Sequence, residues 1–250
     1  MPECAVPVER DTSIGGPNAA FPSTRPSIVA AAIGDDEARR RTARETFVAA
    51  YWKPIYRYIR IKWRRGNEDA KDLTQAFLTE FLSAAGLGRF DAARGSLRTF
   101  VRVSVDGFVS HDARAASRLK RGGGFLVSPI EDDDGDVVDI AADPDVSMEE
   151  YFHREWQRQI FALGVDDLRA FARASGKDMP LAVFEAHDLV DEPPSYGALA
   201  STFHLTPATV TNHLAWARRE LRRFVLARVD AATASAAEAA SEARALFERS

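Results

Sequence analysis

The sequence predicts an all-α fold, in which two helical domains are joined by an acidic linker and the C-terminal one contains a helix-turn-helix. Three observations predict it. Apolar residues recur at spacings of three and four through most of the chain, and no alternating run is long enough for a sheet. Ten acids and no base stand between Glu131 and Glu150, a block that reads as an extended tether or a plain solvated loop. The stretch from Ser195 to Arg223 carries the start and stop signals of two helices separated by a tight turn.

Residues 1–27, rich in Pro and Gly, read as a disordered leader without a charged-then-apolar signal pattern. Residues 28–121 form the first helical domain. Phe47, Val48, Tyr51, Trp52, Ile55, Tyr58 and Ile59 make a broad apolar face, and Pro54 within it should kink or open the helix. In GNEDAKDLTQAFLTEFL, Leu73, Phe77 and Phe81 fall on one side, with Asp72, Gln75 and Thr79 on the other. A long helix is expected from about Ser96 to Leu119. From Arg94 to Arg121 seven bases face two acids, with Phe100 and Phe108 among them. Cations interleaved with aromatics suit unpaired nucleic acid, since rings stack on bases at about 1–3 kcal/mol each. Taken singly, each phenylalanine reads more simply as a core residue.

The linker spans 122–147, beginning at the triple glycine. The second domain spans 148–228. Phe161, Leu168, Phe171, Leu181, Val183, Phe184 and Leu189 predict one or two helices before the turn motif. In that motif Ser195 suits an N-cap, His204-Leu205 the turn, Thr206 a second N-cap and Pro207 the first helical position. Val210, Leu214, Ala217, Leu221 and Phe224 form the buried stripe of the second helix. Its other side holds Ala208, Thr209, Asn212, Arg219 and Arg223. Small polar groups near the helix start and arginines further along divide base-edge from phosphate contacts. From Ala200 to Arg228 five arginines stand against one acid, in a chain whose formal net charge is −4. A basic patch on an acidic protein is a local electrostatic footprint. An amphipathic hairpin in an ordinary bundle is the plainer alternative. The Ala/Glu-rich tail, 229–250, reads as a solvent-facing helix with only Leu246 and Phe247 to bury.

Several function classes are excluded on this reading. No apolar run approaches the ~20 residues of a membrane span. A single cysteine, Cys4, rules out an internal disulfide framework and a multi-cysteine zinc site. The five histidines lie in different segments without metal-ligand spacing, and no phosphate loop or nucleophile elbow is present. The expectation is a cytoplasmic, nucleoid-associated protein that is not an enzyme and carries no metal or cofactor.

The run Asp69-Ala70-Lys71-Asp72-Leu73-Thr74-Gln75-Ala76-Phe77 closely resembles the DAEDLTQEVF signature of bacterial RNA polymerase sigma factors. The turn motif, through Thr209-Val210, Leu214, Ala217-Arg218 and Leu221, is similar to the promoter-reading C-terminal domain of the same family. So are FDAARGSLRTFVR before the long basic helix and KRGGG at its end. The resemblance covers about 28–121 and 150–228, in the form of the small extracytoplasmic-function type. It implies that Asp72, Gln75 and Phe77 meet the polymerase core. It implies that Arg98, Phe100, Arg102, Arg114 and Arg118 act at the −10 region, on the melted non-template strand. Thr209, Thr211, Asn212 and His213 would read the −35 element of double-stranded promoter DNA, with Arg218 and Arg219 on phosphates. An anti-sigma factor is a possible further partner. The chain departs from the family at Asp106-Gly107-Phe108 and Ser110-His111-Asp112, so the −10 sequence is not carried over. It also has His204 in place of a turn glycine, a residue that tolerates the left-handed conformation better than most.

Linker length is compatible with two simultaneous contacts. Elements two helical turns apart lie about 70 Å from one another, and the 26 residues from Gly122 to Ser147 span at most about 85 Å. The alternative function is a stand-alone helix-turn-helix regulator that binds DNA without polymerase. It leaves the DAKDLTQAF and basic-aromatic helices unexplained, and no heptad seam for dimerisation is evident.

Overall fold

A 26-residue helix, α2 (Glu37–Lys62), is the spine of the molecule. The computed structural model describes residues 27–119 and 146–247, where every regular element is helical. The leader, except Ser27, and the acidic linker, except Val146 and Ser147, lie outside the described residues. Asp36 caps α2 by accepting from the Arg39 N–H at 3.1 Å. Phe47, Tyr51, Ile55, Tyr58 and Ile59 are fully buried along it. Pro54 does not end the helix. It has no N–H to offer the Ala50 carbonyl, and one residue earlier the Gln159 amide of α6 donates to the Ala49 carbonyl at 2.8 Å.

Around α2 the first elements are α1 (Ile28–Ile33), α3 (Asn67–Phe81), α4 (Ala84–Leu87) and α5 (Leu97–Leu119). Aromatic rings join α2, α3 and α5. Phe47 lies 4.4 Å from Tyr51 and 5.6 Å from Phe81, Phe81 lies 4.9 Å from Phe77, and Phe100 and Phe108 close the cluster at 5.6 and 5.7 Å. Such pairs contribute about 0.5–1.5 kcal/mol each beyond their area. Phe100 and Phe108 are therefore partly buried core residues, as the plainer sequence reading has it.

Helix α6 (Met148–Ala174) packs against both α2 and the later helix Pro207–Ala232. Glu155, 2% exposed, is held by Arg57 at 2.7 Å and Arg158 at 2.6 Å. The buried residues of the two halves of the chain form one continuous core. Helix α6 ends on Gly176 at φ 62°, where the Lys177 N–H reaches the Ala172 carbonyl at 2.8 Å. That six-to-one closure needs a left-handed residue, which glycine supplies without strain.

Then follow α7 (Asp178–Asp188), α8 (Tyr196–Thr202) and α9 (Pro207–Ala232). Of the apolar residues read before the turn motif, Leu168, Leu181, Val183 and Phe184 are buried, whereas Phe161, Phe171 and Leu189 keep exposed surface. The stripe of α9 is Val210, Leu214, Ala217 and Leu221, continuing through Val225 and Val229 to Ala232. Phe224 lies at its edge, and Val225 takes the seam where α9 meets Gly164 of α6. Where α6 crosses α9, a Cβ on Gly164 would sit 2.6 Å from Val225 Cγ2.

The tail forms α10 (Ala236–Phe247), and it is not simply solvent-facing. Glu242 is buried and Glu238 half-buried. Ala239, Leu246 and Phe247 are partly buried against the core, and two carboxylates add to that docking, which a count of apolar residues does not reveal. Near the start of the tail the Tyr51 hydroxyl donates to the Ala232 carbonyl at 3.1 Å. Burial raises the Tyr51 phenol well above its ordinary pKa.

Candidate nucleic-acid and partner interface

The hairpin α8–α9 is shaped by local chemistry. The Ser195 hydroxyl accepts from the Ala198 N–H at 3.2 Å and starts α8. His204 takes φ 54°, the left-handed conformation its position asks for. The Leu205 N–H returns to the Ala200 carbonyl at 2.8 Å and the His204 N–H to the Ser201 carbonyl at 3.4 Å, closing the end of α8. The Thr206 hydroxyl then accepts from the Thr209 N–H at 3.2 Å, and Pro207 occupies the first helical position.

On α9 the expected base-reading residues differ in freedom. Asn212 is exposed and His213 half-buried. The Thr209 and Thr206 hydroxyls share a 2.8 Å hydrogen bond, and the Thr211 hydroxyl donates to the Pro207 carbonyl at 3.0 Å. Arg218 is bound through two nitrogens to Asp188, at 2.6 and 2.7 Å, and Asp188 also meets His187 Nδ1 at 2.6 Å. Burial pushes the Asp188 carboxyl up, but Arg218 and His187 outweigh it and hold the group below its ordinary value. Arg219 has its side chain 67% exposed, with Glu220 at 3.5 Å. Arg223 lies over Phe224 and pairs with Glu220 at 2.9 Å. Arg219 and Asn212 are the expected contacts most available to an incoming duplex.

The chain matches no family model, no curated protein and no solved structure.

At the expected docking helix, Asp72 and Gln75 are exposed on α3, while Phe77 is buried at 2% in the aromatic cluster. The three do not form one surface, because Phe77 belongs to the apolar stripe that faces α2 and α5. Beside Gln75 an open groove of about 510 Å³ runs between α2 and α3, lined by Arg44, Val48, Trp52, Leu78, Thr79 and Leu82. A partner at this face would meet Asp72, Gln75 and the groove, whose apolar floor the sequence signals only through Val48 and Trp52.

Helix α5 turns its cations inward at its start. Arg98 is bound by Glu242 at 2.8 Å. Arg102 faces Asp106 at 3.5 Å and Glu149 at 3.6 Å. Phe100 lies between Phe81 and Phe90. Arg114 is exposed nearer the other end, and the side chain of Arg118 lies outside the described residues. The outward face of α5 is Val103, Gly107, His111 and Arg114, spaced at four, four and three. Asp106, where the chain departs from the family pattern, is a structural hub. It accepts from Tyr58, Lys62 and Trp63 at 3.0, 2.7 and 3.3 Å. Desolvation disfavours the Lys62 ammonium, but its bonds to Asp106 and Tyr58 prevail and raise its pKa.

No helix of the described residues is long and apolar enough to cross a membrane.

Proposed function

We propose that this protein is a promoter-specificity subunit: it binds RNA polymerase core and directs initiation, without catalysis of its own. In this reading α1–α5 is the polymerase-docking and strand-binding half, the acidic linker is the tether, and α6–α9 is the promoter-reading half. The observation that carries it is the joint occurrence of two motifs in the family's order. The first is the DAKDLTQAF helix with Asp72 and Gln75 exposed beside a groove. The second is the capped α8–α9 hairpin with Asn212 and Arg219 on its outer face.

The hairpin is a helix-turn-helix in this reading, α9 being the recognition helix. Phosphate contacts from Arg219 position it, and Asn212 reads base edges. The Arg218–Asp188 pair leaves Arg218 supporting the helix until a phosphate competes for it.

The test is co-elution of the purified protein with core polymerase, followed by run-off transcription on genomic fragments. New start sites that require the protein would support the reading. Failure to co-elute, with sequence-specific binding to duplex DNA retained, would favour a stand-alone regulator. Failure of both would refute a role in promoter recognition.

A further inference from the structure

The tail helix α10 meets the start of α5 and the flank of α6 through two acids. Glu238 Oε1 accepts from the Leu97 N–H at 2.8 Å, and its other oxygen accepts from the Ala234 N–H at 2.9 Å. One turn further on, Glu242 Oε1 accepts from Arg98 Nε at 3.1 Å and Nη2 at 2.8 Å, while Oε2 lies 3.3 Å from His153 Nε2. Beyond them Phe247 lies against the Arg222 guanidinium, 4.2 Å from its ring centre.

The three partners of these acids that lie on α5 and α6 share one chemistry. An N–H in the first turn of a helix, a guanidinium and an imidazole all bind phosphate. Here Glu242 is 6% exposed and engages two nitrogens of Arg98, whose side chain is 14% exposed, so a phosphate must compete with that carboxylate for the guanidinium while α10 is seated. Burial pushes the Glu242 carboxyl up, but His153 and Arg98 prevail and hold it below its ordinary value, which keeps it anionic at neutral pH. Glu238 goes the other way, its burial outweighing the Ala234 and Leu97 N–H groups.

We infer that α10 is a cis-acting competitor of nucleic acid: its two carboxylates occupy the positions of strand phosphates at the start of α5, and a bound strand must displace it. The inference rests on the reading of α5 as a strand-binding helix. Arg98, which is engaged by Glu242 in this arrangement, then becomes available in the opened one. Binding and tail release are reciprocal, since each shifts the other by the same factor.

The experiment compares full-length wild type, E238Q/E242Q and F247A by anisotropy of a fluorescein-labelled single-stranded oligonucleotide of mixed sequence. The double variant should bind about tenfold more tightly, within the roughly 5–150-fold range of coupled sites. Its salt slope should steepen by about 0.7 for each additional phosphate that the uncovered cations neutralise. F247A, which loosens the end of α10 without touching the acids, should bind about threefold more tightly on the same grounds. In wild type, saturating oligonucleotide should accelerate amide exchange across 236–247. That measurement needs no variant, and with F247A it carries the test if E238Q/E242Q melts below the assay temperature. Equal affinities with unchanged exchange would overturn the competitor while leaving strand binding intact. Weaker binding by the variants would make the acids supports of α5 rather than competitors. Absence of binding by all three proteins would refute the strand-binding reading, and the inference with it.

Discussion

Gly164 lies where α6 packs closely on α9, and Gly164→Ala tests that crossing. The added Cβ would lie 2.6 Å from Val225 Cγ2, 3.3 Å from Val225 N and 3.4 Å from Val225 Cα. The first distance is about 1 Å inside ordinary carbon–carbon contact. Val225 cannot swing away, because a β-branched side chain in a helix has one strongly preferred rotamer. Overpacking of this kind costs about 1–3 kcal/mol, and the better helix propensity of alanine offsets roughly 1 kcal/mol of it. The net expectation is a loss of about 1 kcal/mol. Val225→Ala alone removes two buried methyl equivalents and should cost about 2 kcal/mol.

In the double variant the new methyl fills part of the space vacated by Val225. Gly164→Ala should then stabilise, by roughly 1 kcal/mol from propensity. The sign of one substitution thus depends on the other, with a coupling of about 2 kcal/mol, inside the usual range for touching residues. Urea unfolding followed by helical circular dichroism at 222 nm provides the four stabilities of the cycle. Additive effects would refute the close approach of α6 and α9, and with it the support beneath the exposed face of α9.

Asp72→Ala with Gln75→Ala should leave the melting curve within about 0.5 kcal/mol of wild type and abolish co-elution with core polymerase; full-affinity binding would move the partner elsewhere. Asn212→Ala should weaken cognate duplex by about 1–3 kcal/mol more than scrambled duplex. Arg219→Ala should weaken both alike and lower the salt slope by about one; identical behaviour of the two variants would collapse the division between reading and positioning. For Asp188 the folded pKa lies below the unfolded one, so its stabilisation is complete above the unfolded value of about 3.9 and fades as pH falls through the folded value. The gap in urea midpoint between wild type and Asp188→Asn should therefore be flat near neutrality and narrow below about pH 4. A gap unchanged at acid pH would show that the carboxylate charge is not what holds Arg218.

Local features of the hairpin are legible because they are written in single residues. Ser195, Thr206 and Pro207 act within three positions of themselves, and His204 takes its turn geometry from its own backbone. The stripe of α9 is legible up to Leu221, where period alone does not choose between Phe224 and Val225. The contact at Val225 with Gly164 decides that choice, and it joins two helices distant in sequence. The inward turn of Arg98, Arg102 and Phe100 is not legible from the basic, aromatic composition of α5. Composition carries no sign of which side of a helix a neighbour will take. Glu238 and Glu242 are hidden for a related reason: acids in an Ala/Glu-rich run ordinarily face water, and only the positions of Leu97, Arg98 and His153 show otherwise. Asp106 stands out in the sequence as a departure from a pattern, but its partners Tyr58, Lys62 and Trp63 come from elsewhere in the chain.

The bond from Tyr51 to the Ala232 carbonyl has a consequence for biosynthesis. Its two ends are 181 residues apart in the chain. At about 5–20 residues per second, the acceptor leaves the ribosome roughly 10–35 s after the tyrosine. Throughout that interval the phenol of a residue destined for complete burial must be hydrated or shielded by something else. The side of α2 that will receive the end of α9 stays uncovered over the same period. Nascent chains of this protein therefore leave the Tyr51 hydroxyl without its final acceptor until the end of α9 has been made.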